Sequence, residues 1–493
     1  KIPVLYGTAF FGSVINDAEL SSDNQSMYYS MTLSEKTGTV LSTGLDSVYT
    51  FKDVYWNDQR IVFKSDGITL DYTVDRTGAF DRTASGLVKV YCYSGDSTSG
   101  VVPENYTGTV PNAYNVMPSW NNSHNMTDLI FAIVKLTYSR DKNVTGLGSF
   151  NFEVSNSMKF PGDVLYDYFS NSLYGAGLSN SEIDINTLTA LTTYSKTSVS
   201  YEDQGVGIGQ VLDDRYQING LLDTENNVFA NIEKICNSAG SWLSYDNYLG
   251  KFGVIINKAE STVASFNDSN IISSIRIQGT GLSELYNNVK VEFPNRDILD
   301  RADYINIEIP AVDRNANELN NILNISYELI NEPVQSQLLG FIELKQSRVD
   351  LLINFETDYS YINLRAGEVI TVTDQTSGFS NKQFRILSIN ENQDGANALT
   401  TEILALEYDA NVYSTADLYR YTRTNDNGII TIASIGTPGT PQVSKIEIAS
   451  RPRVIIESVS PGGVVEGLEY WYTTDSKKLH TIRNKTSNWR RNI

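Results

Sequence analysis

In the first 160 residues apolar positions either alternate with polar ones or run together briefly, and turn residues separate the runs. Residues 2–7, 47–56, 67–74 and 87–93 are rich in Val, Ile, Tyr and Thr, which fit a pleated, half-buried surface. Trp56-Asn57-Asp58 and Ser65-Asp66-Gly67 mark turns between them. Residues 129–138 are almost uniformly apolar, as a strand buried on both faces requires. The Ser/Gly/Asn/Pro-rich stretch 94–125 reads as a long loop.

From Phe160 the period changes to about 3.6. Pro161 suits a first helical turn, and Val164, Leu165, Tyr168, Phe169 and Leu173 form one face before Gly175 and Gly177 end the helix. A short helix is expected from Asp184, with Ile185, Leu188 and Leu191 inward. The clearest pattern follows Thr224 as N-cap: Val228, Phe229, Ile232, Ile235, Cys236 and Ala239 make an apolar stripe that Gly240 closes. Residues 242–245 and 252–256 then flank a turn containing Asn247 and Gly250, a β-hairpin signature. Val289, Val291 and Phe293 alternate with Lys290 and Glu292, so strands resume there. Helix is expected over 315–346, in two amphipathic halves around Pro333, followed by antiparallel strands at 367–373, 383–389 and 400–408 in a small barrel or sandwich.

Thr437-Pro438-Gly439-Thr440-Pro441 has the composition of a linker, and 444–449, 453–458 and 469–474 look like opening strands of another β-domain. Fewer residues remain there than the roughly 100 of a complete sandwich. The chain also starts at Lys1, inside an apparent strand, so it is expected to be a fragment or a processed chain.

Composition narrows the chemistry. The 493 residues imply three or four domains at about 100–200 residues each. With 41% hydrophobic residues and 12 prolines the chain is globular and not mainly disordered. Two histidines (His124, His480) and two cysteines (Cys92, Cys236) exclude most metal centres and nucleophilic triads, which need several such groups at one point. Both cysteines read as buried free thiols. The net charge of −20 argues against stable nucleic-acid binding, which gains affinity from Lys and Arg on phosphates. Sequons at Asn105 and Asn125 arise by chance in an Asn- and Ser-rich chain.

The remaining candidates favour structural roles. Gly205-Val206-Gly207-Ile208-Gly209 lacks the buried strand before and helix after that a phosphate loop needs, and Asp213-Asp214 follow it, so it reads as a turn. Acidic pairs Asp213/Asp214, Glu292/Asp297 and Asp297/Asp300 have the chemistry of a glycosidase only if two carboxylates converge. Asn425-Asp426-Asn427-Gly428 reads as an Asx-turn rather than a calcium site. The 30 tyrosines suit strands as well as carbohydrate stacking. Arg483, Lys485, Arg490 and Arg491 read as a solvated terminal face. No catalytic, cofactor-binding or metal residue is expected.

One resemblance runs through the chain. Residues 215–224, the apolar helix to Gly240 and the hairpin 242–256 resemble the hub region of the tip attachment, or host specificity, proteins of long-tailed phages. Tyr174-Gly175-Ala176-Gly177-Leu178 is similar to that family's Tyr-Gly-x-Gly-Leu helix ending. Leu364-Arg365-Ala366-Gly367-Glu368-Val369-Ile370 and Asn381-Lys382-Gln383-Phe384-Arg385-Ile386 resemble its hub-barrel strands, with Ala366 where the family has Pro. Residues 407–413 resemble the segment leading to fibronectin-type modules, and 438–474 the start of one.

The resemblance implies a mainly β, α+β, multi-domain tail hub: an N-terminal β-rich domain (1–159), a helix-bearing domain (160–270), a β-barrel domain (271–430) and a partial fibronectin type III-like module (438–493). It further implies a non-enzymatic homotrimer at the distal end of a virion tail, touching other tail-tip proteins and the tape-measure protein. Receptor-binding modules would lie beyond the C-terminus. Such a hub closes the tail tube and opens by domain rearrangement; if the acidic side chains behind the charge of −20 line its channel, like-charge repulsion keeps the exiting DNA from adhering. A polysaccharide or peptidoglycan hydrolase and a cell-surface β-rich adhesin are the rival classes.

Overall fold

A computed structural model describes residues 1–420, apart from 204–207, 280, 282–284, 311, 313, 316–317, 350 and 394–398, together with the backbone of four short strands beyond them. Lys1–Tyr421 make one compact unit and Thr422–Ile493 a second. The fold is mainly β, with four α-helices among the described residues: α1 (Pro161–Ser170), α2 (Ile185–Ser195), α3 (Val228–Asn237) and α4 (Pro333–Gln346).

Two sheets build the N-terminal part. The first runs Gly100–Val101, Val88–Gly95, Leu129–Thr137, Ser26–Glu35, Val4–Tyr6, Gly220–Leu222, and Val14–Leu20 also pairs with Ser26–Glu35. The second runs Phe80–Asp81, Leu70–Val74, Gln59–Phe63, Tyr49–Trp56, Phe150–Asn156, Thr8–Gly12. Phe51, Val54, Val90 and Phe152 share the core between them. Leu129–Thr137 is buried on both faces as expected: Ala132 and Val134 join that core, while Phe131 and Ile133 pack under Ala113 and Met117. Those last two belong to the expected loop, which carries a two-residue strand and one 3-10 turn, Ala113–Asn115.

The pattern gave no sign of Ser26–Glu35. Met31 and Leu33 enter the core from one face while Ser30, Thr32 and Ser34 are buried on the other, so both faces are covered and small hydroxyls interrupt the apolar run. Ser34 Oγ accepts the Leu5 amide at 2.9 Å, which satisfies a buried polar pair without a long side chain.

Helices differ from expectation mostly at their ends. The helix α1 stops at Ser170, and Leu173, placed on its apolar face by periodicity, lies beyond it and is 73% exposed. A Cβ on Gly175 would sit 1.9 Å from the Tyr168 carbonyl oxygen, so the chain folds back tightly there and only glycine fits. Asn227 and not Thr224 caps α3: its side chain accepts the Phe229 amide at 2.8 Å, whereas Thr224 Oγ1 donates to the Ile2 carbonyl. The later start leaves Val228 and Phe229 outside the core. Asp184 caps α2, accepting the Asn186 amide.

The long helix expected over 315–346 is confined to α4. Proline lacks an N–H and its ring clashes with the preceding turn, so Pro333 belongs in a first turn and not mid-helix. Upstream, Ile322–Ser326 is a strand, parallel to Asn288–Asn295, which also pairs with Arg301–Glu308. Val289, Val291, Ile305 and Ile307 of this sheet pack on Leu338, Leu339 and Ile342 of α4. A Cβ on Gly340 would lie 2.7 Å from both Ile307 Cδ1 and Val291 Cγ2, which shows how close the helix comes.

The three expected antiparallel strands are present within a six-stranded half-barrel. Its order is Thr262–Phe266, Val369–Asp374, Phe379–Gln393, Leu399–Glu407, Leu351–Asp358, Arg276–Gly279, around Phe266, Phe355, Ile370, Phe384 and Ile403. In the second unit Gln442–Ile448 pairs antiparallel with Arg451–Glu457, and Tyr472–Asp475 with Lys478–His480. Most of the segment read as the start of a fibronectin-like module lies outside the described residues.

Candidate functional site

Two polar clusters tie the parts of the first unit together. In α1, Asp163 and Asp167 lie one turn apart and are 0% and 4% exposed, so hydrogen bonds must replace the water they lose. Asp163 accepts the Ser42 amide on one oxygen and the Ser42 hydroxyl on the other, each at 2.8 Å. Asp167 Oδ1 accepts the Gly38 amide, and its Oδ2 accepts both Tyr6 and Tyr174 hydroxyls, all at 2.8 Å. Burial holds both carboxyls above the usual carboxylate range and raises the two phenols. Beside them, Asn156 Nδ2 donates to the Leu5 carbonyl, Thr37 Oγ1 and the Tyr49 hydroxyl. Asp167 also lines a surface cleft with Glu35, Lys36, Asp128 and Tyr166. Its oxygens are committed to three donors, which suits fastening strand, loop and helix rather than taking a proton from a substrate.

The second cluster centres on Arg385, which is 6% exposed. Its Nη1 donates to Asn257 Oδ1 at 2.9 Å and to the Tyr413 hydroxyl at 2.8 Å, and Nη2 donates to the Lys258 carbonyl. The guanidinium lies 5.1 to 5.8 Å from the ring centroids of Tyr408, Tyr413 and Trp242. No ion pair to it occurs among the described residues, so neutral oxygens and aromatic faces balance this cation. Asn257 exchanges amide hydrogen bonds with Gln346 at the end of α4. Arg385 thus joins the half-barrel, the hairpin Ser241–Asp246/Lys251–Ile256 and its exit, and the residues after the last barrel strand, and Asn257 and Tyr413 extend the cluster to α4.

Neither cluster was singled out from sequence as a site. Asp163 and Asp167 were detectable as carboxylates within an otherwise apolar helical stretch, and Arg385 sat in a quoted motif without a role. The acidic pairs that were singled out have local tasks. Asp214 pairs with Lys159 at 3.0 Å, while Asp213 is exposed. Asp300 accepts the Phe10 amide and the Asn331 side chain. Asp297 is exposed on a 3-10 turn, and Glu292 lies on the strand Asn288–Asn295.

Gly205–Gly207 fall outside the described residues, but the flanking strands Val199–Asp203 and Ile208–Leu212 pair as a hairpin, so no helix opens after the loop. Cys92 and Cys236 are buried free thiols; burial raises both, Cys236 to about 12. His124 stacks on Trp120 at 5.6 Å. Among the described residues no three His, Cys, Asp or Glu side chains gather as a metal site. The turn 425–428 and the basic cluster Arg483, Lys485, Arg490 and Arg491 lie outside the described residues.

No family model matches the chain. Baseplate hub protein pb3 of Escherichia phage T5 is 21% identical over 302 residues, covering 56% of this chain and 31% of that protein. The chain therefore spans about a third of the length of that curated relative. A chain from the virion of a native gene transfer agent particle superposes with TM-score 0.51 at 14% identity, across 84% of this chain and 86% of that one. A tail protein of Neisseria meningitidis MC58 aligns across 84% of this chain at TM-score 0.32, too loosely to define a shared fold. The likeness to phage tail hub proteins read from the motifs is thus present in sequence, to a baseplate hub protein, and the fold is shared with a chain of a gene transfer agent virion.

Proposed function

We propose that this chain is a structural subunit of the tail of a phage or phage-like particle, placed in the hub at the tail's distal end. The observation that carries this is the sequence match to a baseplate hub protein, and the fold shared with a virion chain supports it. The use of buried polar groups agrees: Asp163, Asp167 and Arg385 fasten elements to one another, as a load-bearing plug requires and a catalytic centre does not.

Within that role, the chain forms a homotrimer that closes the tail tube, contacts neighbouring tail-tip proteins and the tape-measure protein, and leads to receptor-binding modules. The divisions 1–159, 160–270, 271–430 and 438–493 are its proposed domains. Opening for genome passage is a rearrangement of domains, and the acidic excess keeps DNA from adhering to the channel wall. Gold labelling of a tag on this chain in intact particles tests the placement. Label at the distal tail tip is expected; label on the capsid, along the tail shaft or absent from particles overturns it.

A further inference from the structure

Residues 408–420 follow the last half-barrel strand, leave that sheet and run back across α4 to the hairpin Val199–Asp203/Ile208–Leu212. Tyr408, Val412, Tyr413 and Leu418 are among the side chains that hold them. Tyr408 is buried, and its hydroxyl accepts the Glu260 amide at 2.8 Å. Val412 and Leu418 are 5% and 2% exposed in the α4 core. Tyr413 reaches Arg385, Asn257 and Gln346 through its hydroxyl. The far end pairs like an added strand: Glu202 N donates to the Leu418 carbonyl at 2.9 Å and Arg420 N to the Glu202 carbonyl at 2.7 Å. Tyr419 N donates to Gln337 Oε1 of α4. Lys345 and Asp417 add a surface ion pair.

The segment has no sheet of its own, and few buried side chains oppose the entropy of ordering its backbone. It is also the covalent route out of the first unit, since the second begins at Thr422. Its Tyr413 hydroxyl accepts from Arg385 and shares the Asn257 Oδ1 acceptor with it, so detaching it removes a partner from the buried cation of the half-barrel. Segments held this weakly open by themselves while stronger sheets stay closed.

We propose that residues 408–420 form a releasable strap, which detaches from α4 and the Val199–Leu212 hairpin as one unit and, in doing so, loosens the half-barrel at Arg385. That this release serves hub opening rests on the tail role proposed above; the release itself does not.

Native-state hydrogen exchange of the full chain, followed in low urea, tests it. The Val412, Leu418, Tyr419, Arg420 and Glu202 amides are expected to exchange through one common opening, at least about a hundredfold faster than the Val90 and Val134 amides of the N-terminal sheet. Leu418→Ala and, separately, Tyr413→Phe are expected to speed all five amides by a similar factor, about tenfold or more, and to leave Val90 and Val134 unchanged. Exchange of the strap only together with the sheet, or acceleration confined to the neighbours of each substituted residue, overturns it. The experiment needs no particle, so a releasing strap in a chain absent from tails would remove the tail role and leave the strap standing.

Discussion

Asp167 shows how one residue can be structural and still titrate. Its folded carboxyl lies above the ordinary value, mainly through burial, so the folded state holds its proton more tightly than the unfolded chain. The contribution therefore falls as pH rises through the folded pKa and recovers as pH drops toward about 4, the unfolded value. Comparing melting temperatures of the protein and Asp167→Asn from pH 7 to 4 should show the native protein gaining on the variant as pH falls; a constant difference contradicts this account. Asp167→Ala strands two buried phenols and should cost about 2–5 kcal/mol in denaturant unfolding. At the other cluster, Arg385→Met leaves Asn257, Lys258 and Tyr413 short of a donor and should cost about 3 kcal/mol by the same measurement. Glu318 behaves oppositely: the Arg348 guanidinium beside it holds it at about 2, so its support is full above the unfolded value and is lost progressively as pH falls toward the folded one.

At the scale of elements, the helical stripes Val164 to Phe169 and Ile232 to Ala239 and the Val289/Val291/Phe293 alternation were legible because each buries one continuous apolar face. The ends were not, since the cap of α3 depends on which of Thr224 and Asn227 the N-terminal strand leaves free. Ile322–Ser326 was hidden for a similar reason: its pairing partner lies about thirty residues away, and local periodicity does not register such a partner. The Asp167 and Arg385 clusters drew partners from four or five separate segments, so only their chemical types were visible beforehand. Close helix contact gives a sharp test. A Cβ on Gly162 would lie 2.0 Å from the Leu188 carbonyl of α2, so Gly162→Ala must push α1 and α2 apart. A loss of about 1–3 kcal/mol is expected in urea unfolding; a neutral result means that the helices do not pack as described.

For the whole molecule, scarcity of histidine and cysteine first reads as a missing active site. Under the proposed tail role it has another meaning, since closing and opening a tube would need rigid parts and defined junctions and no catalytic group. The net charge of −20 bears on the same proposal, since an acidic channel wall would repel passing DNA. A homotrimer at micromolar concentration is the expected solution state, and light scattering that finds a monodisperse monomer counts against it. The central claim is met most directly by electron cryomicroscopy of intact particles. Density fitting this chain in three copies around the tail axis, closing the end of the tube, is expected; its absence from that position, or its presence only in peripheral appendages, contradicts the proposed tail role.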